Sequence, residues 1–321
     1  MKSFGGKLAV VTGGGSGMGR ELVIALASDG CHVALCDVNE ESMAQTRSLA
    51  RAAAKTDVRV TTHKVDISEE RQVIAFRAAV AEQHQAKHID LLFNNAGIGG
   101  GGSFVLDERE EWDKTFAVCW GGVYYCTRAF MPMLLASREA HLINTSSVNG
   151  FWASLGPRSA HTAYSAAKFA VKGFTEALIN DLRNNAPHVK VSLVMPGHIG
   201  TGIVINSSRI LGRDPKEMSD AQLEDARERM ERMGLAVGAA SNEQIRQGLQ
   251  MLGEAFRDAA PMTAAAAAKV ILDGVREERW RILVGADAEV LDRLVRETPE
   301  EAYETSFMER LQSQSTWAIG Q

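Results

Sequence analysis

Six short runs of aliphatic and β-branched residues recur along the first two thirds of the chain, separated by amphipathic stretches of helical length. The runs are Lys7–Thr12, His32–Asp37, Val58–Lys64, Ile89–Asn94, His141–Ser146 and Val189–Met195. The stretches are Met18–Ser28, Glu40–Ala54, Glu69–Gln85, Trp112–Ala136 and Tyr164–Asn184. A strand that is apolar on both faces must be covered on both, which a parallel sheet between two helical layers provides. Right-handed crossovers then wind the chain into an α/β doubly wound parallel β-sheet, a Rossmann fold. We expect a single domain over residues 1–321.

The alternation pauses after Thr201. Residues 203–260 are polar, helical in pattern and dotted with Met218, Met230, Met233, Met251 and Phe256, so a helical insertion within the domain is expected there. Thr263 can cap a helix opening at Ala264–Ala268 with its side-chain oxygen. Arg281–Val284 reads as a last strand. Beyond Thr298 the chain is polar, with Trp317 near its end, and we expect an arm on a neighbouring subunit.

Charge and cysteine usage exclude several classes. A formal net charge of −5 attracts neither nucleic acid nor an anionic membrane surface. No run of 18 apolar residues suggests a spanning helix, and the first residues lack the apolar stretch of a signal peptide. Cys31, Cys36, Cys119 and Cys126 form no CxxC pair, so neither zinc nor a redox dithiol is indicated. Free thiols in a reducing cytoplasm are expected. No His, Asp or Glu group has metal-ligand spacing.

The first run is followed at once by Gly13-Gly14-Gly15-Ser16-Gly17-Met18-Gly19. Glycines let the backbone approach a ligand closely, and the open amides of the next helix favour a phosphate. Its place between a first strand and a helix makes this turn a dinucleotide site. Asp37 ends the second run, 18 residues beyond Gly19. A carboxylate there can accept hydrogen bonds from an adenosine ribose and would repel a 2′-phosphate. With no Lys or Arg in the turn before Met18, or at Val38 or Asn39, the pattern favours NAD over NADP. Asp37 can serve as a helix N-cap at the same time.

Tyr164 and Lys168 are four apart in the helix-compatible run YSAAKFAVKGF, which puts them on one helix face. An ammonium near a phenol stabilises the phenolate, and a phenol so tuned can take a proton from an alcohol. The pair follows a strand ending in Thr145-Ser146-Ser147.

Taken in order, these residues resemble the short-chain dehydrogenase/reductase family. TGGGSGMG at Thr12–Gly19 is similar to its TGxxxGxG turn, Asn94-Asn95-Ala96-Gly97 to NNAG, Ser146-Ser147 to the serines before the active site, and Tyr164–Lys168 to YxxxK. Pro196-Gly197 with Thr201 is similar to the segment after the sixth strand. The resemblance implies a catalytic Ser147, Tyr164 and Lys168. Tyr164 would be the acid/base, Lys168 would hold the nicotinamide ribose, and Ser147 rather than Ser146 would bond the substrate oxygen. It also implies cofactor contacts from Gly13, Ser16, Gly17, Met18 and Gly19, from Asp37 and Val38, and from Asp66 and Ile67 at the adenine. Asn95, Ala96 and Gly97 would line the cofactor, with Pro196, Gly197, Ile199 and Thr201 at the carboxamide end. The family places a mobile substrate lid where residues 203–260 lie, and Met and Phe there would suit a bulky apolar substrate. A homo-oligomer, tetramer or dimer, is implied as well.

Two departures stand out. Cys119, in Val118-Cys119-Trp120-Gly121-Gly122-Val123, holds the position of a family asparagine that binds a water linking the lysine to solvent. A thiol is a poor hydrogen-bond partner, which puts that relay in doubt. Ser147 and Tyr164 are 17 positions apart, with the extra residues in Trp152–His161 expected to form part of the pocket wall. The leading expectation is an NAD-dependent oxidoreductase of secondary alcohols or ketones, small molecules of bulky hydrophobic character. The alternative is a catalytically weak NAD-binding sensor or scaffold. His161, three before Tyr164, reads as a loop histidine at a helix start in preference to a proton shuttle. His198 reads as a backbone contact.

Overall fold

Strand β1 (Leu8–Thr12) is buried along its whole length, and its hydrogen-bonded neighbours lie on both sides. The chain proceeds through α1 (Gly17–Ser28), β2 (His32–Asp37), α2 (Glu40–Ala53), β3 (Val60–Lys64), α3 (Glu70–His84) and β4 (Leu91–Asn94). It continues with α4 (Arg109–Phe116), α5 (Gly122–Leu135), β5 (Ala140–Thr145), α6 (Thr162–Asn185) and β6 (Val189–Pro196). The molecule was obtained as a computed structural model that describes residues 1–156, 159–232 and 234–317. Among these, seven strands form one parallel sheet in the order β3-β2-β1-β4-β5-β6-β9, the last being Arg281–Val284. The sheet is flanked by helices in a single Rossmann-like α/β domain.

Two cores follow from that layering. Leu22 and Leu26 of α1 meet Ile271 and Leu272 on one face, while Phe76 of α3, Phe130 and Leu134 of α5 and Leu182 of α6 cover the other. Asn94 donates to Thr127 and to Asn144, and Asn144 donates to Thr175, so the amide nitrogens of these two buried residues are paired. Between β1 and β4 the strand order reverses direction, leaving a crevice at their carboxyl ends.

The expected helix over Trp112–Ala136 is present but changes its winding midway. Ala117–Gly121 forms a π-helical turn between α4 and α5, and Cys119 is on it. Gly122 then packs so tightly on Ile67 that a side chain would overlap it.

After β6 come β7 (Ile199–Gly200), α7 (Ile203–Ile210), α8 (Asp220–Arg232), α9 (Asn242–Asp258), β8 (Met262–Thr263) and α10 (Ala264–Arg276). Thr263 caps α10 by accepting from the Ala266 amide, as the sequence predicts. Met218 and Met230 are spent on a small core with Leu223, Ala226 and Ile245, whereas Met251 is 61% exposed. Met233 lies outside the described residues.

The last helices are α11 (Ala286–Glu297) and α12 (Thr305–Gln314). The tail expected to reach a neighbour packs on its own chain instead. Phe307, Met308 and Leu311 share one face of α12 and are buried with Val148, Trp152 and Trp317. Trp317 is 2% exposed and sets its ring edge against Trp152, and the Trp152 indole donates to the Ala302 carbonyl at 2.6 Å. Three apolar residues at helical spacing and a Trp outweighed a polar average.

Candidate active site

The glycine turn after β1 is shaped by two left-handed positions, Gly13 (φ +66°) and Gly17 (φ +53°), where a side chain would be strained. Thr12 Oγ1 accepts from the amides of Asn95 and Ala96, tying the turn to the end of β4. Helix α1 then starts with no side-chain cap and no acidic residue in its first turn. Its amides and positive dipole end therefore stay open to an anion. Helix α2, by contrast, is capped by Asn39 and opens with Glu40 and Glu41.

One cleft at the carboxyl edge collects most of the sequence-predicted cofactor residues. Its walls include Gly13, Ser16, Gly17 and Met18, then Asp37 and Val38, Asp66 and Ile67, Asn95, Ala96 and Gly97, and Thr201. Asp37 accepts the Gly15 amide at 3.0 Å and the Asn39 amide at 3.1 Å, which fixes the carboxylate at the lip of the turn. Asp66 accepts from Lys114 at 2.6 Å and from Ser68. Its partial burial works against ionisation, but the Lys114 and Ser68 bonds outweigh it and hold the carboxyl below its usual range. Asn95 turns its Nδ2 to the Thr12 carbonyl and leaves Oδ1 buried with no partner among the described residues. A glycine cradle, an uncapped helix start and an unsatisfied buried amide oxygen fit a dinucleotide.

Gly19, Ser147, Tyr164, Lys168, Pro196, Gly197 and Ile199 do not line that cleft. Gly19 sits behind the turn, where a Cβ would overlap the Gly13 carbonyl. Lys168 is reached through Gly97, whose added side chain would come within 3.4 Å of the ammonium. Lys114, Ile203 and Asn206 also line the cleft and are absent from the sequence reading. Lys114 belongs to no motif, and the other two come from a segment whose packing no local pattern reports.

The strand–turn–helix unit β5–α6 brings the second group together. Ser146 turns back and donates to the Lys168 carbonyl at 2.7 Å, a purely internal bond. Ser147 accepts from the Asn149 amide at 3.1 Å and stands close enough to Tyr164 to favour ionisation of its phenol. Lys168 is buried, its ammonium 5.3 Å from the Tyr164 ring centre and donating to the Thr145 carbonyl at 3.0 Å. Burial pushes the phenol of Tyr164 upward and the proximity of Cys119 adds to this, while the neighbouring Ser147 pulls the other way. The expected lowering by Lys168 does not prevail among the protein's own groups. The ammonium is itself pushed down by burial and is committed to Thr145. The site thus presents a protonated phenol, a neighbouring hydroxyl and a buried amine.

Cys119 is also fully buried here, with its thiol donating to the Ile98 carbonyl at 3.2 Å and standing close to Gly97. The residue at the family's asparagine position therefore pins the segment after β4. His161 stacks on Tyr164 (ring centres 4.6 Å apart, 20° between planes). Burial pushes its pKa down to about 4, so it is neutral near pH 7 and a poor proton carrier. His198 donates its amide to Asp287 at 2.7 Å and places its Nε2 2.7 Å from the Phe256 carbonyl.

Comparison with known proteins fits this layout. The short chain dehydrogenase family model matches residues 7–210. The Mycobacterium tuberculosis protein named oxidoreductase SadH is 33% identical over 297 residues, covering 92% of this chain and 92% of its own. A solved short chain dehydrogenase/reductase from Burkholderia phymatum, in complex with NAD, superposes with a TM-score of 0.75 at 32% identity, over 94% of this chain and 96% of the other. A metagenomic short-chain oxidoreductase in complex with NADP matches 60% of this chain and 83% of its own at 33% identity, with a TM-score of 0.54.

Proposed function

This chain belongs to the short-chain dehydrogenase/reductase family, and we propose that it is an NAD-dependent enzyme that oxidises secondary alcohols or reduces the matching ketones. The observation that carries this reading is the gathering of Ser147, Tyr164 and Lys168 in one place, with the Lys168 amine 5.3 Å from the Tyr164 ring centre and Ser147 near enough to favour ionisation of the phenol. NAD, when bound, supplies the hydride acceptor, and that chemistry belongs to the cofactor. The protein's part is position and proton control. Tyr164 exchanges a proton with the substrate oxygen as acid or base. Ser147 donates to the same oxygen and steadies its changing charge. Lys168, held by Thr145, would grip the ribose and supply positive charge as the phenol loses its proton.

Asp37 supports NAD as the natural cofactor. Its carboxylate is held at the cleft by two backbone amides and would face a 2′-phosphate with like charge. Asp37→Ala is expected to raise the NADP-to-NAD ratio of kcat/KM by about tenfold or more, the equivalent of one charge-assisted hydrogen bond lost on the ribose side. Steady-state rates with both cofactors check this, and an unchanged ratio would remove Asp37 from cofactor selection.

Helices α7–α9, residues 203–260, serve in this reading as a lid over the substrate entrance. Asn206 of α7 donates to Ser16 at 3.1 Å, and Ser207 accepts from the Gly99 amide at 2.8 Å, so α7 already bridges the cleft. Ile203 and Ile210 of α7 join Ile98 and Val118 in lining the cofactor cleft, and this reading has a bulky apolar substrate enter under the same helix. Exposed Tyr124 of α5 and Phe169 of α6 support a homo-oligomer built on that side, and four buried free thiols support a cytoplasmic setting. No helix among the described residues is long and apolar enough to cross a membrane.

The test is purified protein with NAD and a series of secondary alcohols of rising apolar bulk, followed at the NADH absorbance band. Turnover that improves with bulk supports the reading. Tight NAD binding without turnover across the series would replace it with a cofactor-sensing role.

A further inference from the structure

The segment Pro196–Thr201 is fixed residue by residue by parts of the chain far away in sequence. Gly197 donates its amide to the Val284 carbonyl at the end of β9, 2.9 Å away. The His198 amide donates to Asp287 Oδ2 at 2.7 Å, and its imidazole rests on Phe256 and the carbonyl of that residue. Ile199 and Gly200 pair with Met262 and Thr263 of β8. Thr201 then lines the cofactor cleft and lies against Gly17, where a Cβ would come within 3.2 Å of it.

Asp287 is the unusual member of this set. It stands in the first turn of α11, just after Gly285 (φ +110°), and is only 1% exposed. Its Oδ1 has no hydrogen-bond partner among the described residues. Gly197 presses on it so closely that any side chain there would overlap both carboxylate oxygens. Burying a carboxylate with an oxygen unsatisfied is costly, and a neutral acceptor would satisfy one amide more cheaply. What a carboxylate adds is a shorter and stronger bond to that amide, and so a more sharply located backbone. This residue also lies outside the 7–210 stretch that the family model matches.

We infer that Asp287 is a positioning residue that holds Pro196–Thr201 in place for the nicotinamide half of the cofactor, acting through the His198 amide and the Gly197 contact. The inference rests on the reading that this segment meets the cofactor. Its test needs no turnover. Titration calorimetry compares NAD with ADP-ribose, which lacks the nicotinamide and reads only the glycine turn and the Asp37 end. Asp287→Ala is expected to weaken NAD by about tenfold, the scale of one charge-assisted hydrogen bond, while ADP-ribose affinity stays within about twofold. Hydrogen exchange on the cofactor-free protein should quicken at residues 198–202 and stay unchanged in β6. Asp287→Asn, which keeps an acceptor oxygen without the charge, should fall between parent and Ala, by about threefold on the same scale. It carries the test alone if the Ala variant does not fold. An NAD-to-ADP-ribose ratio equal to the parent's in the folded variants, or an equal loss for both ligands, overturns the inference. A parent that binds NAD no better than ADP-ribose would instead sink the reading on which it rests.

Discussion

Tyr164→Phe is expected to lower turnover by about 10²–10⁴-fold, the usual contribution of one positioned acid/base group, and to leave NAD affinity within a few-fold. Tyr164 lies beside both Ser147 and Lys168, and Phe removes its hydroxyl alone. The ring stack with His161 should survive, because it needs the ring and not the oxygen. The pH dependence follows from the direction in which burial pushes the phenol. With its pKa raised, Tyr164 is protonated through neutral pH and ready to give a proton, so ketone reduction should be flat there and decline only under strongly alkaline conditions. Alcohol oxidation needs the deprotonated form, so its rate should climb with pH from neutral upward. Both slopes should vanish with the hydroxyl. Stopped-flow rates in the two directions, parent against variant, measure this. Near-parent turnover in the Phe variant would assign the proton step to another group.

The central sheet was legible because its signal is local. Runs such as His32–Asp37 and Arg281–Val284 are strands with those bounds in the structure, since an apolar run short enough for one strand has few other ways to be buried. Thr263 could be read as a cap because capping needs only an oxygen and an amide a few residues on. The gathering of the glycine turn, Asp37 and Asn95–Gly97 in one cleft followed from the strand order, which places the ends of β1, β2 and β4 side by side.

What escaped was set by contacts between distant parts of the chain. The π-helical turn at Ala117–Gly121 has no mark in helix periodicity, and it shifts the face on which Cys119 is presented. Trp317 reads as part of an arm on a neighbouring subunit until Trp152, Phe307 and Leu311 are seen to share its core. Asp287 looks like one more acidic residue at a helix start; only the fold shows that it lies under His198. The Tyr164–Lys168 spacing was right about proximity and misleading about charge. Four residues along a helix guarantee neighbours, but the pKa of each is decided by burial, which spacing does not report.

Gly19→Ala should separate a packing glycine from a conformational one. Gly13 and Gly17 need their positive φ, whereas Gly19 lies in the first turn of α1 with ordinary helical backbone and needs space. A methyl group there would overlap the Gly13 carbonyl and stand 2.6 Å from Asn95 Nδ2. Neither neighbour can yield cheaply: Gly13 is held against Ala96, and Asn95 Nδ2 is bonded to the Thr12 carbonyl at 3.1 Å. The turn must therefore move off the end of β4. Overpacking of this kind costs about 1–3 kcal/mol of stability. The same displacement carries the open amides at the start of α1 out of register with a bound phosphate. Losing two backbone hydrogen bonds to a charged group would weaken NAD by about 10²-fold or more. Gly6→Ala is the contrast, because Gly6 has φ +72° but nothing within 4 Å of its Cβ position. That variant should pay about 1–2 kcal/mol for the left-handed backbone and bind NAD like the parent. Denaturant midpoints and NAD titrations on the two variants distinguish the effects. If Gly19→Ala matched the parent in both, the turn could not be packed against β4 as closely as the structure has it, and the cleft would lose the rigid floor on which cofactor recognition depends.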